Sequence, residues 1–107
     1  AAMEKLSFRH TTSRALPGAK AQAITGVVAS GNLEVLVEPA DLAGACRVTV
    51  ETAAVGFGTV WQRVLEDVVA RWGMGDVAIS INDAGATPAV VALRLDQALR
   101  SYAGGQP

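Results

Sequence analysis

The apolar and polar positions of the chain follow two periods. Leu33, Val35 and Val37 share one side of a segment whose other side carries Glu34, Leu36 and Glu38, and Pro39 stops it. Alternation of this kind predicts a strand with one buried face. Cys46, Val48 and Val50 alternate in the same way with Arg47, Thr49 and Glu51 over Cys46–Thr52. Glu4–Thr11 reads as a short strand with Leu6 and Phe8 on one face. Gln22–Ala29, apolar and rich in β-branched residues, reads as a buried strand. Pro17-Gly18 marks Ser13–Lys20 as a loop, and Asp41–Ala45 is a turn. The period then lengthens. From Gly58 to Trp72, the residues Trp61, Val64, Leu65, Val68 and Trp72 recur at helical spacing, opposite Gln62, Arg63, Glu66, Asp67 and Arg71. Gly73 and Gly75 suit the helix exit. Val77, Ile79 and Ile81 mark a further strand that ends at Asn82-Asp83. Thr87-Pro88 opens a second helix, because Thr caps free N–H groups and Pro fits the first turn. Its stripe is Val91, Leu95, Leu99 and Tyr102, and Gly104-Gly105 frees the tail.

The predicted order is β-β-β-β-α-β-α. It implies an α+β fold: a single two-layer domain, mostly antiparallel sheet with two helices packed on one face. Residues 3–103 are expected to form it, with 104–107 a flexible tail. Ala1-Ala2 ahead of Met3 reads as an addition before the natural start. The connection from Cys46–Thr52 through the first helix is long enough for a parallel crossover, which would be right-handed. The pattern does not set the strand order.

Composition then narrows the function classes. At 107 residues and 50% hydrophobic, the chain can build one packed core. A net charge of -1 gives no basic excess to neutralise phosphates, which argues against nucleic-acid binding. The apolar runs are far shorter than the ~20 residues that span a bilayer. No basic-then-apolar signal peptide opens the chain. The single Cys46 cannot form an internal disulfide, which fits a reducing cytoplasm.

Ser30 is the main candidate for chemistry. It lies in Val28-Ala29-Ser30-Gly31-Asn32-Leu33-Glu34-Val35-Leu36, where an apolar segment meets a Gly-Asn turn and an alternating strand. Ser-Gly and Gly-Asn are ordinary hairpin chemistry, and geometry alone favours a turn and nothing more. The same arrangement suits a modified serine. Gly31 removes a side chain beside the hydroxyl, and Asn32 keeps the tip polar.

That segment resembles the attachment site of the malonate decarboxylase acyl carrier (delta subunit) family. A second block, Ile81-Asn82-Asp83-Ala84-Gly85-Ala86-Thr87-Pro88-Ala89-Val90-Val91 followed by Leu93-Arg94-Leu95, resembles that family's C-terminal signature. The likeness spans Met3 to Tyr102. The family's site usually reads Ser-Gly-Asp, whereas this chain has Asn32, which hydrogen-bonds but cannot act as a base. The resemblance implies a non-catalytic carrier whose Ser30, flanked by Gly31 and Asn32, holds phosphoribosyl-dephospho-CoA through a phosphodiester. The terminal thiol of that group would carry acetyl and malonyl thioesters. A transferase subunit, the malonyl transferase, would exchange acetyl for malonyl, and a decarboxylase subunit would release carbon dioxide. A prosthetic-group transferase would load the arm. The related acyl carrier (gamma) chain of citrate lyase shares the Ser-Gly site and an Asp-x-Gly-Ala block, but Thr87-Pro88 leans toward the malonate family. An unmodified interaction domain is the alternative from a different class.

Other residues offer less. His10, the only histidine, lies in a polar stretch and reads as a surface residue, and no Gly-x-Ser-x-Gly elbow supports a hydrolase. Cys46 falls on an apolar strand face and reads as a buried, inert thiol. One Cys and one His cannot make a structural zinc site, so no metal is expected. Asp83 reads as a turn aspartate, with contact to a prosthetic group or partner as the other option. Trp61 and Trp72 read as core. Glu34 and Glu38 solvate an outer face or help dock a basic partner surface.

Overall fold

The computed structural model describes residues 4–11, 26–30, 32–73 and 75–103, of which 26–30 and 103 are described by backbone alone. Five strands and two helices follow in the expected order: β1 (Glu4–Thr11), β2 (Gly26–Ser30), β3 (Leu33–Pro39), β4 (Ala45–Thr52), α1 (Gly58–Trp72), β5 (Val77–Asp83) and α2 (Pro88–Ala103). The expected 13–20 loop, the start of the Gln22–Ala29 strand, and the tail at 104–107 lie outside the described residues.

The strands form one sheet in the order β1-β4-β5-β3-β2. Three pairings are antiparallel, and β4 and β5 alone run parallel. Parallel neighbours need a crossover, and α1 supplies it. The last strand in sequence is thus the middle strand in space, with Val77, Ala78, Ile79 and Ile81 all buried. This order lay beyond the hydrophobic pattern, because alternation identifies a buried face and not a neighbour.

Both helices cover the same face of the sheet. Leu33, Val35 and Val37 of β3 and Cys46, Val48 and Val50 of β4 point into the core, while Glu34, Arg47, Thr49 and Glu51 are exposed on the opposite face. α2 packs on β2 and β3, and α1 packs on β1 and α2. α1 presents Trp61, Leu65, Val68, Val69 and Trp72, and α2 presents Val91, Leu95, Ala98, Leu99 and Tyr102. A polar link ties the helices together: Asp96 accepts hydrogen bonds from Arg71 (2.7 Å) and from the Trp72 indole N–H (2.9 Å). The indole thereby satisfies its only donor while its rings fill the core.

Local chemistry sets the helix ends. Gly73 takes the left-handed conformation (φ 62) that stops α1, and its N–H donates to Val69 O at 2.8 Å. The Thr87 hydroxyl accepts from Val90 N–H at 3.3 Å, which is the cap expected there. α1 begins differently. Its N-cap is Phe57, which has no cap-forming side chain.

Two expectations need adjustment. Pro39 is the last residue of β3 rather than the residue after it. His10 is half-buried rather than a plain surface residue. The alternation of β1 places it opposite Cys46 on the helix side, where its Nδ1 is removed from water without a partner.

Candidate functional site

Ser30 is the last residue of β2, an edge strand, and pairs with Leu33 of β3. Residues 31–32 make the connection, so the expected hairpin is present. Gly31 and the side chain of Ser30, with its expected exposure, lie outside the described residues. Asn32 is exposed in the turn.

The fold brings the two sequence blocks together at this hairpin. Leu33 lies opposite Asp83, and Glu34 opposite Asn82. The Asn32 carbonyl accepts a hydrogen bond from Ala84 N–H at 2.9 Å. The loop between β5 and α2 is therefore fastened to the serine hairpin through its backbone. A two-residue turn, whose ladder ends at Ser30, gains a third point of attachment.

Asp83 shapes that loop. It is 3% exposed, and its carboxylate is fully engaged. Oδ1 accepts from Gly85 N–H (3.1 Å) and Ala86 N–H (2.8 Å), and Oδ2 accepts from the buried Thr52 hydroxyl (2.7 Å). Thr52 Oγ1 in turn accepts from Ala54 N–H at 3.0 Å, and Asp83 O accepts from Ala53 N–H at 2.9 Å. One buried carboxylate thus holds the loops that follow β4 and β5. The expected turn role is what the geometry shows, extended by a long-range partner, Thr52.

Beside these loops lies an apolar groove of about 240 Å³ between the start of α1 and the start of α2. Phe57, Val60, Trp61, Ala86, Pro88 and Val91 supply most of its wall, and Asp83 reaches it. Phe57 is 51% exposed, and Val55 and Val60 are exposed beside it. Sequence reasoning overlooked this ridge. Its signal was apolar side chains, Val55 and Phe57, set among glycines in a loop where neither period operates.

Cys46, the other candidate nucleophile, is fully buried. Burial pushes the Cys46 thiol up to about 12, so it stays protonated and inert. Among the described residues no group of His, Cys, Asp or Glu is gathered to hold a metal ion. No helix among the described residues is long and apolar enough to cross a membrane.

Comparisons with known proteins agree on one family. The profile described as "ACP: Malonate decarboxylase delta subunit (MdcD)" matches residues 20–102. The malonate decarboxylase acyl carrier protein of Stenotrophomonas maltophilia (strain K279a) is 53% identical over 105 residues, covering 98% of this chain and 99% of the relative. That of Bradyrhizobium diazoefficiens is 54% identical over 101 residues, covering 94% and 96%. Among solved structures, a chain of a Pseudomonas malonate decarboxylase hetero-tetramer in complex with malonate superposes with a TM-score of 0.76. It is 33% identical, and the match covers 92% of this chain and 98% of that one.

Proposed function

The chain belongs to the malonate decarboxylase acyl carrier protein family, and from that membership we propose that Ser30 anchors a covalent phosphoribosyl-dephospho-CoA arm. The chain is then the carrier subunit of a malonate decarboxylase, working with transferase and decarboxylase subunits. The group supplies a terminal thiol on which acyl groups travel as thioesters. The work of this chain is to present, tether and orient it.

One observation carries the reading. The Asn32 carbonyl and Ala84 N–H join the serine hairpin to the second block, so the two segments that resemble the family's signature form one surface. The buried Asp83 clamp fixes that surface from beneath. In the loading step the Ser30 oxygen would form the new bond to phosphorus. Its proton would pass to a base of the prosthetic-group transferase, and the leaving group of the activated precursor would depart. Asn32 holds the turn and takes no proton. The fixed hairpin confines the arm, so partner active sites meet it at an effective concentration on the order of mM.

The surroundings fit one part of the arm better than another. Glu34 and Asp83 are the charged groups that the register places nearest the hairpin, and both are acidic. The phosphates of the arm are therefore directed toward Lys or Arg on partner subunits. The buried thiol of Cys46 and the thioester chemistry of the arm suit a reducing cytoplasm.

Intact mass of the protein from its native host tests the proposal. A large added mass is expected, lost in Ser30→Ala. No added mass with an active prosthetic-group transferase present would overturn it. Reconstituted with its partners, the loaded chain should turn over malonate and leave citrate uncleaved.

A further inference from the structure

We infer that the apolar groove between α1 and α2 seats the aliphatic stretch of the arm anchored at Ser30, holding the arm on its own carrier between visits to partner subunits. The inference rests on the anchoring proposed above.

Position is the first argument. Ser30 pairs with Leu33, and Leu33 with Asp83, so about 10 Å of sheet separates the anchor from a residue that reaches the groove. The Asn32–Ala84 bond ties the hairpin to the loop that supplies Ala86, two residues beyond Ala84, to the groove wall.

Lining chemistry is the second. Phe57, Val60, Ala86, Pro88 and Val91 offer carbon only, and Trp61 adds its rings and one indole N–H donor. The one carboxylate, Asp83, already accepts three hydrogen bonds and has little to give a polar guest. At about 240 Å³ the space is smaller than the roughly 300–1,000 Å³ of a pocket that encloses a drug-sized ligand. It suits a length of chain and not a whole nucleotide.

The third argument is that local rules are broken here. Phe57 stands at an N-cap, where Ser, Thr, Asp or Asn would satisfy the helix, and remains half in water. Val55 and Val60 add to the same exposed ridge. Such departures from local preference gather where a surface is used. The tether also lowers the affinity that seating requires. At an effective concentration on the order of mM, a Kd of the same order leaves the groove about half filled. The arm then remains free to leave for a partner.

The test uses the full chain, unloaded and loaded, with loading first confirmed by mass. The two indole N–H resonances report separately. Trp61 lines the groove, whereas the Trp72 N–H is committed to Asp96 on the far side of the helix pair. On loading, the Trp61 signal should shift and the Trp72 signal should stay. Val60→Glu, at an exposed position, should load normally and lose the shift. Leu93→Glu, more exposed and outside the groove, should keep it. Loaded protein with an unmoved Trp61 signal overturns the groove and leaves the anchor intact. Failure to load at Ser30 overturns the anchor and the groove with it. A concentration-dependent Trp61 shift in unloaded protein would assign the groove to a second copy and also overturn the inference.

Discussion

The two ends of β5 are closed by the same device and lead to different surroundings. At the start, Asp76 Oδ1 accepts from Leu42 N–H (3.1 Å) and Gly44 N–H (2.8 Å), and its backbone exchanges bonds with Ala40 and Ala45. At the other end, Asp83 gathers Gly85, Ala86 and Thr52. Each aspartate uses a short side chain to satisfy N–H groups that the sheet leaves open. Asp76 is half-buried and merely completes the turn between β3 and β4, which Arg9 also braces through Leu42 O at 3.1 Å. Asp83 is buried and holds two loops beside the serine hairpin and the groove. An ordinary turn device thus becomes a positioning device through what stands next to it.

Removal of each carboxylate should separate the two roles. Asp83→Ala leaves a buried hydroxyl and two N–H groups without their acceptor, and should cost about 3–4 kcal/mol in chemical denaturation. Asp83→Asn keeps one carbonyl oxygen for the loop and should recover more than half of that loss. A cost for Asp83→Ala under about 1 kcal/mol would mean that water replaces the carboxylate, and the clamp would not exist. At Asp76 the clean substitution is glycine, because φ there is 57 and an alanine would add backbone strain. Asp76→Gly should cost about 1–2 kcal/mol, with the effect confined to the β3–β4 end. Hydrogen exchange should show Leu42 and Gly44 opening while Ala84 stays protected. If Ala84 opened too, the two ends would be coupled and the contrast would fail.

These two ends were unequally legible in the sequence. The elements were legible because buried faces write their periods plainly: Trp61, Leu65, Val68 and Trp72 at helical spacing, Leu33, Val35 and Val37 at alternate positions. Ser30, Gly31 and Asn32 stood out as a hairpin for the same local reason. Their likeness to an attachment site came from resemblance, since local physics treats Ser-Gly-Asn as a turn. What escaped depends on contacts across long separations. Thr52 and Asp83 are 31 residues apart, and no local pattern joins them. Nor does the pattern reveal that a strand near the end of the chain sits at the centre of the sheet. The half-burial of His10 escaped as well: it continues the face of Leu6 and Phe8, but its polar neighbours suggested the surface.

The smallest predicted effect concerns the other thiol. Cys46 lies toward the Asp76 end, opposite Val77 and His10, and is fully buried. Burial disfavours the thiolate, raising its pKa from 9.0 to about 12. The folded state therefore favours the protonated thiol more than the unfolded chain does. The stabilising contribution is complete below pH 9.0 and is lost as pH climbs toward 12. Stability from denaturant titration should fall by about 1 kcal/mol between pH 8 and pH 10 through this group. Cys46→Ala should start less stable, because it leaves a cavity, and show a flatter profile across that window. Lysines and tyrosines titrate in both proteins, so the difference between the two slopes isolates Cys46. The same burial distinguishes the two thiols chemically. Folded, unloaded protein should resist alkylation until it is denatured, whereas loaded protein should expose one fast-reacting thiol at the end of its arm. Rapid alkylation of the folded, unloaded protein would show that Cys46 is reachable, and the division between an inert end and a working end of β5 would fall.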